Sequence, residues 1–124
     1  MIKRLQNNAL EIANEIYTVF QLSYTVEAKL INANDFPPLN RPIEHYQKSS
    51  TIFFGYYVDT DLAGIIEIKS NNECTAICSL VVLPRFFRRG IAKSLLDYVF
   101  KDFTEMSQGF FEDLISGNLK KTSI

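Results

Sequence analysis

Apolar residues near the start of the chain recur at helical spacing. The set consists of Ile12, Ile16, Val19 and Phe20, with polar residues between them. This spacing predicts one long amphipathic helix that continues towards Leu30. We expect Asn7 or Asn8 to cap its first turn, because a short polar side chain can accept a hydrogen bond from the free backbone N–H groups there. Residues 1–5 are predicted to form a short strand before it.

The middle of the chain changes to patterns typical of β-structure. A loop over residues 32–42 contains three prolines, and Pro42–Gln47 is predicted as a short helix. Three segments rich in β-branched and aromatic residues follow: Thr51–Val58, Leu62–Lys69 and Glu73–Leu83. Because only two or three turn residues separate consecutive segments, they are predicted to form an antiparallel meander.

The third strand leads into a junction that suits an anion. It stops at Pro84, passes through a short basic loop and enters an apolar helix at Gly90. The first N–H groups of a helix lack intrahelical partners and carry a partial positive charge. Arg88 and Arg89 lie beside them, and the small residues Gly90 and Ala92 let a ligand approach the backbone. The junction is therefore a candidate phosphate site.

Two groups of residues at this junction resemble the signature of the GNAT superfamily of N-acetyltransferases. They are Val82-Leu83-Pro84 and Arg88-Arg89-Gly90-Ile91-Ala92, at the family's spacing; Phe87 departs from it, standing where Arg or Gln is usual. The resemblance covers about residues 1–103. It implies an α/β (α+β) fold, in which helices flank a mixed, mostly antiparallel sheet.

The resemblance also implies a co-substrate, acetyl-CoA. Its pyrophosphate would lie on Arg88, Arg89, Gly90, Ile91 and Ala92, held chiefly by backbone N–H groups. The edge of the strand at Leu80, Val81 and Val82 would pair with the pantetheine amides, as an added strand does. A backbone N–H near Val82 would point at the thioester carbonyl, where such a donor contributes about 3 kcal/mol to the transition state.

A general base for the incoming amine is sought among the carboxylates. Glu67 and Glu73 lie in or beside the central strands, and partial burial can raise a carboxyl pKa towards neutrality. Glu67 is the better candidate because isoleucines surround it in the sequence. Glu27 on the first helix is another candidate. Direct transfer requires no nucleophilic residue. A glutamate in the position of Glu67 is more often an ordinary outward-facing strand residue than a base.

The last part of the chain departs from the family pattern. We expect residues 1–103 to form the acetyl-CoA-binding core and residues 104–124 an atypical short tail without a strand. The fold would then be shortened at its C-terminal end, and the Glu73–Leu83 strand would present an open edge. A partner chain could supply the missing wall, the tail could replace it, or the chain could be a truncated remnant.

Bulk properties exclude several other classes. A net charge of −1 over 124 residues does not suggest a nucleic-acid binder. The apolar runs are too short to span a bilayer, so we expect a cytoplasmic protein without membrane contact. Cys74 and Cys78 are read as small core residues. His45 is the only histidine, so no metal site is expected.

The leading hypothesis is therefore an N-acetyltransferase that acts on a primary amine of a small molecule or a protein. The main alternative is an inactive, truncated GNAT fragment that at most binds CoA. A third possibility is an interaction module whose open strand edge pairs with another chain, as in a homodimer. Contact of the basic loop with RNA is the least favoured reading.

Overall fold

This computed structural model describes residues 1–70, 75–103 and 120–121 of the chain. The strands are β1 (Ile2–Leu5), β2 (Ile52–Val58), β3 (Asp61–Ser70), β4 (Thr75–Val82) and β5 (Lys120–Lys121). The α-helices are α1 (Leu10–Leu30), α2 (Ile43–Lys48) and α3 (Ile91–Tyr98). Short 3₁₀ turns cover Pro37–Asn40 and Pro84–Phe86, and a π-helical turn, Val99–Phe103, extends α3.

The strands form one five-stranded sheet in the order β1-β2-β3-β4-β5. The first four pair antiparallel and β5 pairs parallel to β4. The predicted meander and the mixed, mostly antiparallel α/β architecture are thus confirmed. The pairing of β2 with β3 shifts in register once, between Tyr56 and Tyr57. The pairing of β3 with β4 also shifts once, between Glu67 and Ile68.

The two faces of the sheet carry different helices. Tyr46 of α2 packs on Phe53 of β2, with ring centroids 6.3 Å apart. Neighbouring Phe54 meets Tyr98 of α3 on the opposite face, at 5.1 Å. Because successive side chains of a strand point to opposite faces, Phe53 and Phe54 place one apolar ring on each face of the sheet. The central strand β3 is consequently buried on both faces, from Leu62 to Ile68.

The predicted N-cap of the long helix is wrong. α1 begins at Leu10, after Ala9, and no side chain caps its first turn. The Asn7 amide instead donates to the carbonyl oxygens of Tyr46 at 2.8 Å and Ser49 at 3.1 Å. These carbonyls lie at the end of α2, where the chain leaves the helix. Asn7 therefore joins the start of α1 to the end of α2.

The expectation of a tail without a strand is also wrong. β5 pairs with β4 through Ala76↔Lys120 and Ile77↔Lys121, so the start of the β4 edge is covered. Within the described residues, no strand pairs with this edge from Ser79 to Val82. The open edge predicted from the sequence is thereby confined to the second half of β4. Residues 104–119 and 122–124 lie outside the described part, and the division at residue 103 stays a prediction.

Gly64 lets α3 approach the sheet closely. A Cβ atom at this position would lie 2.9 Å from Cγ2 of Ile91 and 3.1 Å from the carbonyl oxygen of Val81. Both distances are shorter than ordinary van der Waals contact. Ile91 is the first residue of α3, and its branched side chain has little rotamer freedom. The missing side chain at residue 64 thus fixes where α3 begins relative to β4.

We expect Gly64→Ala to lower the free energy of unfolding by about 1–3 kcal/mol, because overpacking forces a rigid side chain and a backbone carbonyl to move. Denaturant unfolding of the two proteins measures the difference. Ala92→Gly, at a half-buried site on α3, is a control for general helix weakening, with a loss of about 1 kcal/mol. A Gly64→Ala variant as stable as the parent would contradict the close packing.

Candidate functional site

A cleft of about 390 Å³ lies between α1, the second half of β4 and the start of α3. Its residues come from three separate parts of the sequence. They are Ser23, Val26, Glu27 and Leu30 of α1; Leu80, Val81 and Val82 of β4; and Phe86, Phe87, Arg88, Ile91 and Ala92 around the start of α3. The structure therefore brings the predicted β4 residues and most of the predicted phosphate-loop residues around one space.

The edge of β4 that faces this cleft is not paired with any strand of the described residues. The N–H of Leu83 donates to the carbonyl of Ala63 at 2.8 Å, which makes this a hydrogen-bonded pair of the β3–β4 ladder. In an antiparallel pair, alternate residues direct both polar groups to the partner strand and the residues between them direct both away. Val82 and Leu80 therefore point their N–H and C=O groups away from β3, towards the unpaired edge.

Ser23 supports this assignment and fixes one side of the cleft. Its hydroxyl donates to the carbonyl oxygen of Val82 at 3.3 Å. That carbonyl must point out of the ladder to accept this bond. The contact ties the C-terminal half of α1 to the end of β4. Glu27, one turn later on α1, lines the same cleft.

The turn before α3 has the backbone shape of an anion cradle. Arg88 and Gly90 both have left-handed backbone conformations, with φ of 64° and 73°. Turns that mix left- and right-handed residues direct successive N–H groups into one concavity. α3 starts directly after Gly90, whose carbonyl accepts from the N–H of Ser94 at 2.9 Å. The remaining N–H groups of its first turn face outward from the helix end.

The three arginines of the loop separate into different environments. Arg85 lies 3.7 Å from Asp61 and its guanidinium is 4.5 Å from the Phe86 ring centroid. The guanidinium of Arg89 stacks on the same ring at 5.3 Å. Arg88 alone of the three lines the cleft. The sequence treats Arg88 and Arg89 alike, whereas the structure places only Arg88 in the cleft.

Glu67, the first candidate base, lies in a different part of the protein. Its carboxylate is buried and accepts two hydrogen bonds from the Arg41 guanidinium, both at 2.9 Å. Thr51 donates to it at 2.7 Å and Ser79 at 3.1 Å. The Arg41 guanidinium stacks 4.0 Å from the Tyr46 ring centroid. The pair is a bidentate, charge-assisted contact that joins the 31–42 connection to the sheet.

The expected rise in the pKa of Glu67 is wrong. Burial alone would raise the pKa, but the hydrogen bonds from Arg41, Thr51 and Ser79 and the charge of Arg41 hold it below its ordinary value. A carboxylate held ionised by four hydrogen bonds is a poor proton acceptor at neutral pH. Arg41 lies 26 residues from Glu67 along the chain, so no local pattern indicates the pair.

The other two candidate bases are Glu73 and Glu27. Glu73 lies outside the described residues, so its role stays a prediction. Among the described residues that line the cleft, Glu27 is the one carboxylate. Of the candidates named from the sequence, only Glu27 is therefore placed beside the open edge of β4.

The described part of the chain consists of the ranges 1–70, 75–103 and 120–121. Within them, no group of three His, Cys, Asp or Glu side chains is arranged to hold a metal ion. No helix in the same ranges combines the length and apolar character needed to cross a bilayer.

The sequence profile of the Acetyltransferase (GNAT) family matches residues 10–115. This range contains the whole cleft, from α1 to α3. The chain therefore belongs to the GNAT acetyltransferase family.

A curated relative shares only part of its length with this chain. The UPF0157 protein YqkA of Bacillus subtilis (strain 168) is 36% identical over 99 residues, which is 80% of this chain and 29% of the relative. The chain thus spans less than a third of that protein.

Solved structures share the fold at low identity. The PaiA N-acetyltransferase of Thermoplasma acidophilum, in complex with coenzyme A, has a TM-score of 0.62 and 19% identity over 86% of this chain and 74% of its own. A ribosomal-protein-alanine N-acetyltransferase of Brucella melitensis biovar Abortus 2308 has a TM-score of 0.64 and 20% identity, with 100% of this chain and 79% of that protein covered. An aminoglycoside acetyltransferase from an uncultured soil metagenomic sample, in complex with trehalose, has a TM-score of 0.62 and 17% identity, with 100% of this chain and 76% of that protein covered.

We expect Glu67→Gln to destabilise the fold by about 3 kcal/mol at neutral pH, because it leaves a half-buried guanidinium without its counter-charge. The Glu67 pKa is lower in the folded than in the unfolded chain, so its contribution is complete above the unfolded value of about 4.3 and falls as the pH drops through the folded value. Urea unfolding between pH 7 and pH 2.5 measures both effects.

The double variant Arg41→Met/Glu67→Leu is the control for this measurement. Replacing both charges with apolar side chains removes the unpaired charge, so it should recover much of the stability that Glu67→Gln loses. Its unfolding free energy should also depend less on pH below 4.5 than that of the parent. An unchanged pH dependence in Glu67→Gln would contradict the account of this pair.

Proposed function

We propose that this chain uses acetyl-CoA as acetyl donor and transfers the acetyl group to a primary amine of a small molecule or a protein. One observation carries the proposal: a single cleft is lined both by the part of the β4 edge that no described strand pairs with and by the left-handed turn that opens α3. The first offers amide-pairing groups and the second an anion cradle. A thioester ligand with a diamide arm and a pyrophosphate requires both features.

The phosphate end of the donor would lie at the start of α3. The backbone N–H groups of Gly90, Ile91 and Ala92 face the negative charge, and the helix dipole favours it. Arg88 adds a cationic side chain from the wall of the cleft. Arg89 is engaged with the Phe86 ring, so its contribution through the side chain would be smaller.

The pantetheine arm would run along β4. Leu80 and Val82 direct polar backbone groups towards the cleft. Val81, between them, pairs with Ile65 of β3 and keeps this part of β4 extended. An extended diamide can pair with such an edge as an added strand does. The carbonyl of Val82 already accepts from Ser23, so the N–H of Val82 and both groups of Leu80 are the available partners.

Transfer joins the amine nitrogen to the acetyl carbon and breaks the carbon–sulfur bond, which releases CoA as the thiol. A β4 N–H that donates to the carbonyl oxygen would stabilise the oxyanion by about 3 kcal/mol. The incoming ammonium must lose a proton before attack. Glu27 would accept it, directly or through water, since it is the carboxylate of the cleft wall.

The acceptor is proposed only as a class. The neighbouring structures include enzymes described as acting on ribosomal-protein alanine and on aminoglycosides, both of which present amino groups. These proteins share the fold with this chain at 20% identity or less, so they support an amine and not a particular one.

The competing hypothesis is a fragment that binds CoA without turnover. Release of free thiol from acetyl-CoA distinguishes the two. The acceptors to test are an alanine-terminated peptide, an aminoglycoside and a polyamine. Amine-dependent release supports the enzyme, whereas saturable binding with no release from any of the three supports the fragment.

We expect Arg88→Ala to weaken acetyl-CoA binding about tenfold or more, because a charge-assisted contact to phosphate contributes about 1.5–3 kcal/mol. Isothermal titration of acetyl-CoA measures the dissociation constant. Arg89→Ala is the matched control: it removes the same charge one residue away, from a residue that stacks on Phe86 and is not among those that line the cleft. It should weaken binding by no more than about threefold.

Equal losses in the two variants would mean that the arginines act only through net charge. No saturable binding by the folded parent protein would overturn the proposed function as a whole.

A further inference from the structure

The outer edge of β1 carries backbone groups that face away from the sheet. The N–H of Tyr57 donates to the carbonyl of Met1 at 2.8 Å, and the Met1 ammonium donates to the carbonyl of Tyr57 at 3.0 Å. Met1 and Tyr57 are therefore a hydrogen-bonded pair, and along the register Lys3 belongs to the next one. Ile2 and Arg4 alternate with these residues, so their N–H and C=O groups point outward. No strand of the described residues pairs with them on that side, and the edge can accept a further strand.

A groove of about 260 Å³ lies beside this edge, between β1 and α3 with its π-helical extension. The residues that line it are Ile2, Ser94, Asp97, Tyr98 and Lys101. Because alternate residues of a strand share a face, Arg4 lies on the same face of the sheet as Ile2. Every second side chain of an added strand would therefore point towards the groove. Strand addition takes its affinity from main-chain hydrogen bonds and its specificity from pockets for alternate side chains.

The charges on this face favour an acidic segment. Arg4 is exposed and makes no ion pair with a described residue. Lys101 adds a second positive charge from the wall of the groove. Asp97, the one carboxylate among the described residues that line the groove, already accepts from Lys93 at 2.9 Å. The face that an added strand would cover is thus positive.

A second copy of this chain is a poor occupant of the edge. The antiparallel register that uses both outward residues places Ile2 of each copy opposite Arg4 of the other. The two Lys3 residues then lie directly opposite each other. Like charges in that position destabilise a strand pair, and a lysine on an edge strand opposes self-pairing. The partner must therefore carry the opposite charge.

We propose that the outer edge of β1 binds an extended acidic segment of a partner protein. The segment places an apolar side chain in the groove and carboxylates at Arg4 and Lys101. β1 is the strand at one edge of the sheet, whereas the cleft described above lies beside β4, towards the other edge. The proposal therefore does not rest on the proposed function.

Titration of the ¹⁵N-labelled protein with a capped heptapeptide, Thr-Glu-Thr-Leu-Thr-Glu-Thr, tests the proposal. The glutamates and the leucine of this probe share one face when it is extended. The control peptide has lysine in place of each glutamate. We expect saturable amide shifts along β1 with the acidic peptide alone, with a dissociation constant of about 1 mM or lower. At saturation, hydrogen exchange at the outward amide of Arg4 should slow about tenfold, whereas the amide of Lys3, already bonded to β2, should change little.

Two substitutions at Arg4 separate its charge from its backbone. Arg4→Gln removes only the charge and should weaken peptide binding about two- to fivefold. Arg4→Pro also removes the outward N–H, which β2 does not use, so β1 stays paired and binding should fall about fivefold further. Lys48→Gln removes an exposed charge on α2 as a control and should bind the peptide within about twofold of the parent.

No saturable shift with the acidic peptide, or equal shifts with both peptides, would overturn the proposal. So would shifts without slower exchange at the Arg4 amide, since these would show charge attraction without strand addition. Sedimentation of the protein alone tests the other occupant. A concentration-dependent dimer that protects the Arg4 amide would assign the edge to a second copy and overturn the acidic partner.

Discussion

The buried contact between Arg41 and Glu67 constrains much of this fold. A carboxylate inside a sheet is stable only when opposite charge and hydrogen bonds replace the water it has lost. Arg41 supplies the charge from the proline-rich connection, Thr51 donates at the start of β2 and Ser79 donates from β4. One carboxylate therefore fixes the connection after α1, the entry to the sheet and the strand that lines the cleft.

The cleft follows from this arrangement and from two further contacts. Ser23 holds α1 against the end of β4, and the absent side chain at Gly64 lets α3 begin beside the same strand. Among the described residues β5 pairs only with the start of β4, so both polar groups of Leu80 and the N–H of Val82 face an edge without a described strand partner. The result is a concave site with strand-edge amides at one end and a helix N-terminus at the other.

The sequence predicted the features that depend on local pattern. Periodicity indicated α1, the three central strands and α3, and the spacing around Pro84 and Gly90 indicated the phosphate turn. It could not indicate the partner of Glu67, because that partner comes from a distant loop. Nor could it separate Arg88 from Arg89, since their difference depends on a left-handed backbone and on the Phe86 ring. Asn7 was misread because its amide bonds to distant carbonyls instead of its own helix.

The proposed function requires that the β4 edge and the start of α3 bind one ligand together. Titration of the ¹⁵N-labelled protein with acetyl-CoA, followed by amide chemical shifts, measures this. We expect the amides of Leu80, Val82 and Arg88 to Ala92 to shift together with one dissociation constant, while those of β1 stay unchanged. Shifts confined to the α3 turn, with the β4 amides unaffected, would show simple anion binding and would contradict joint binding of one ligand.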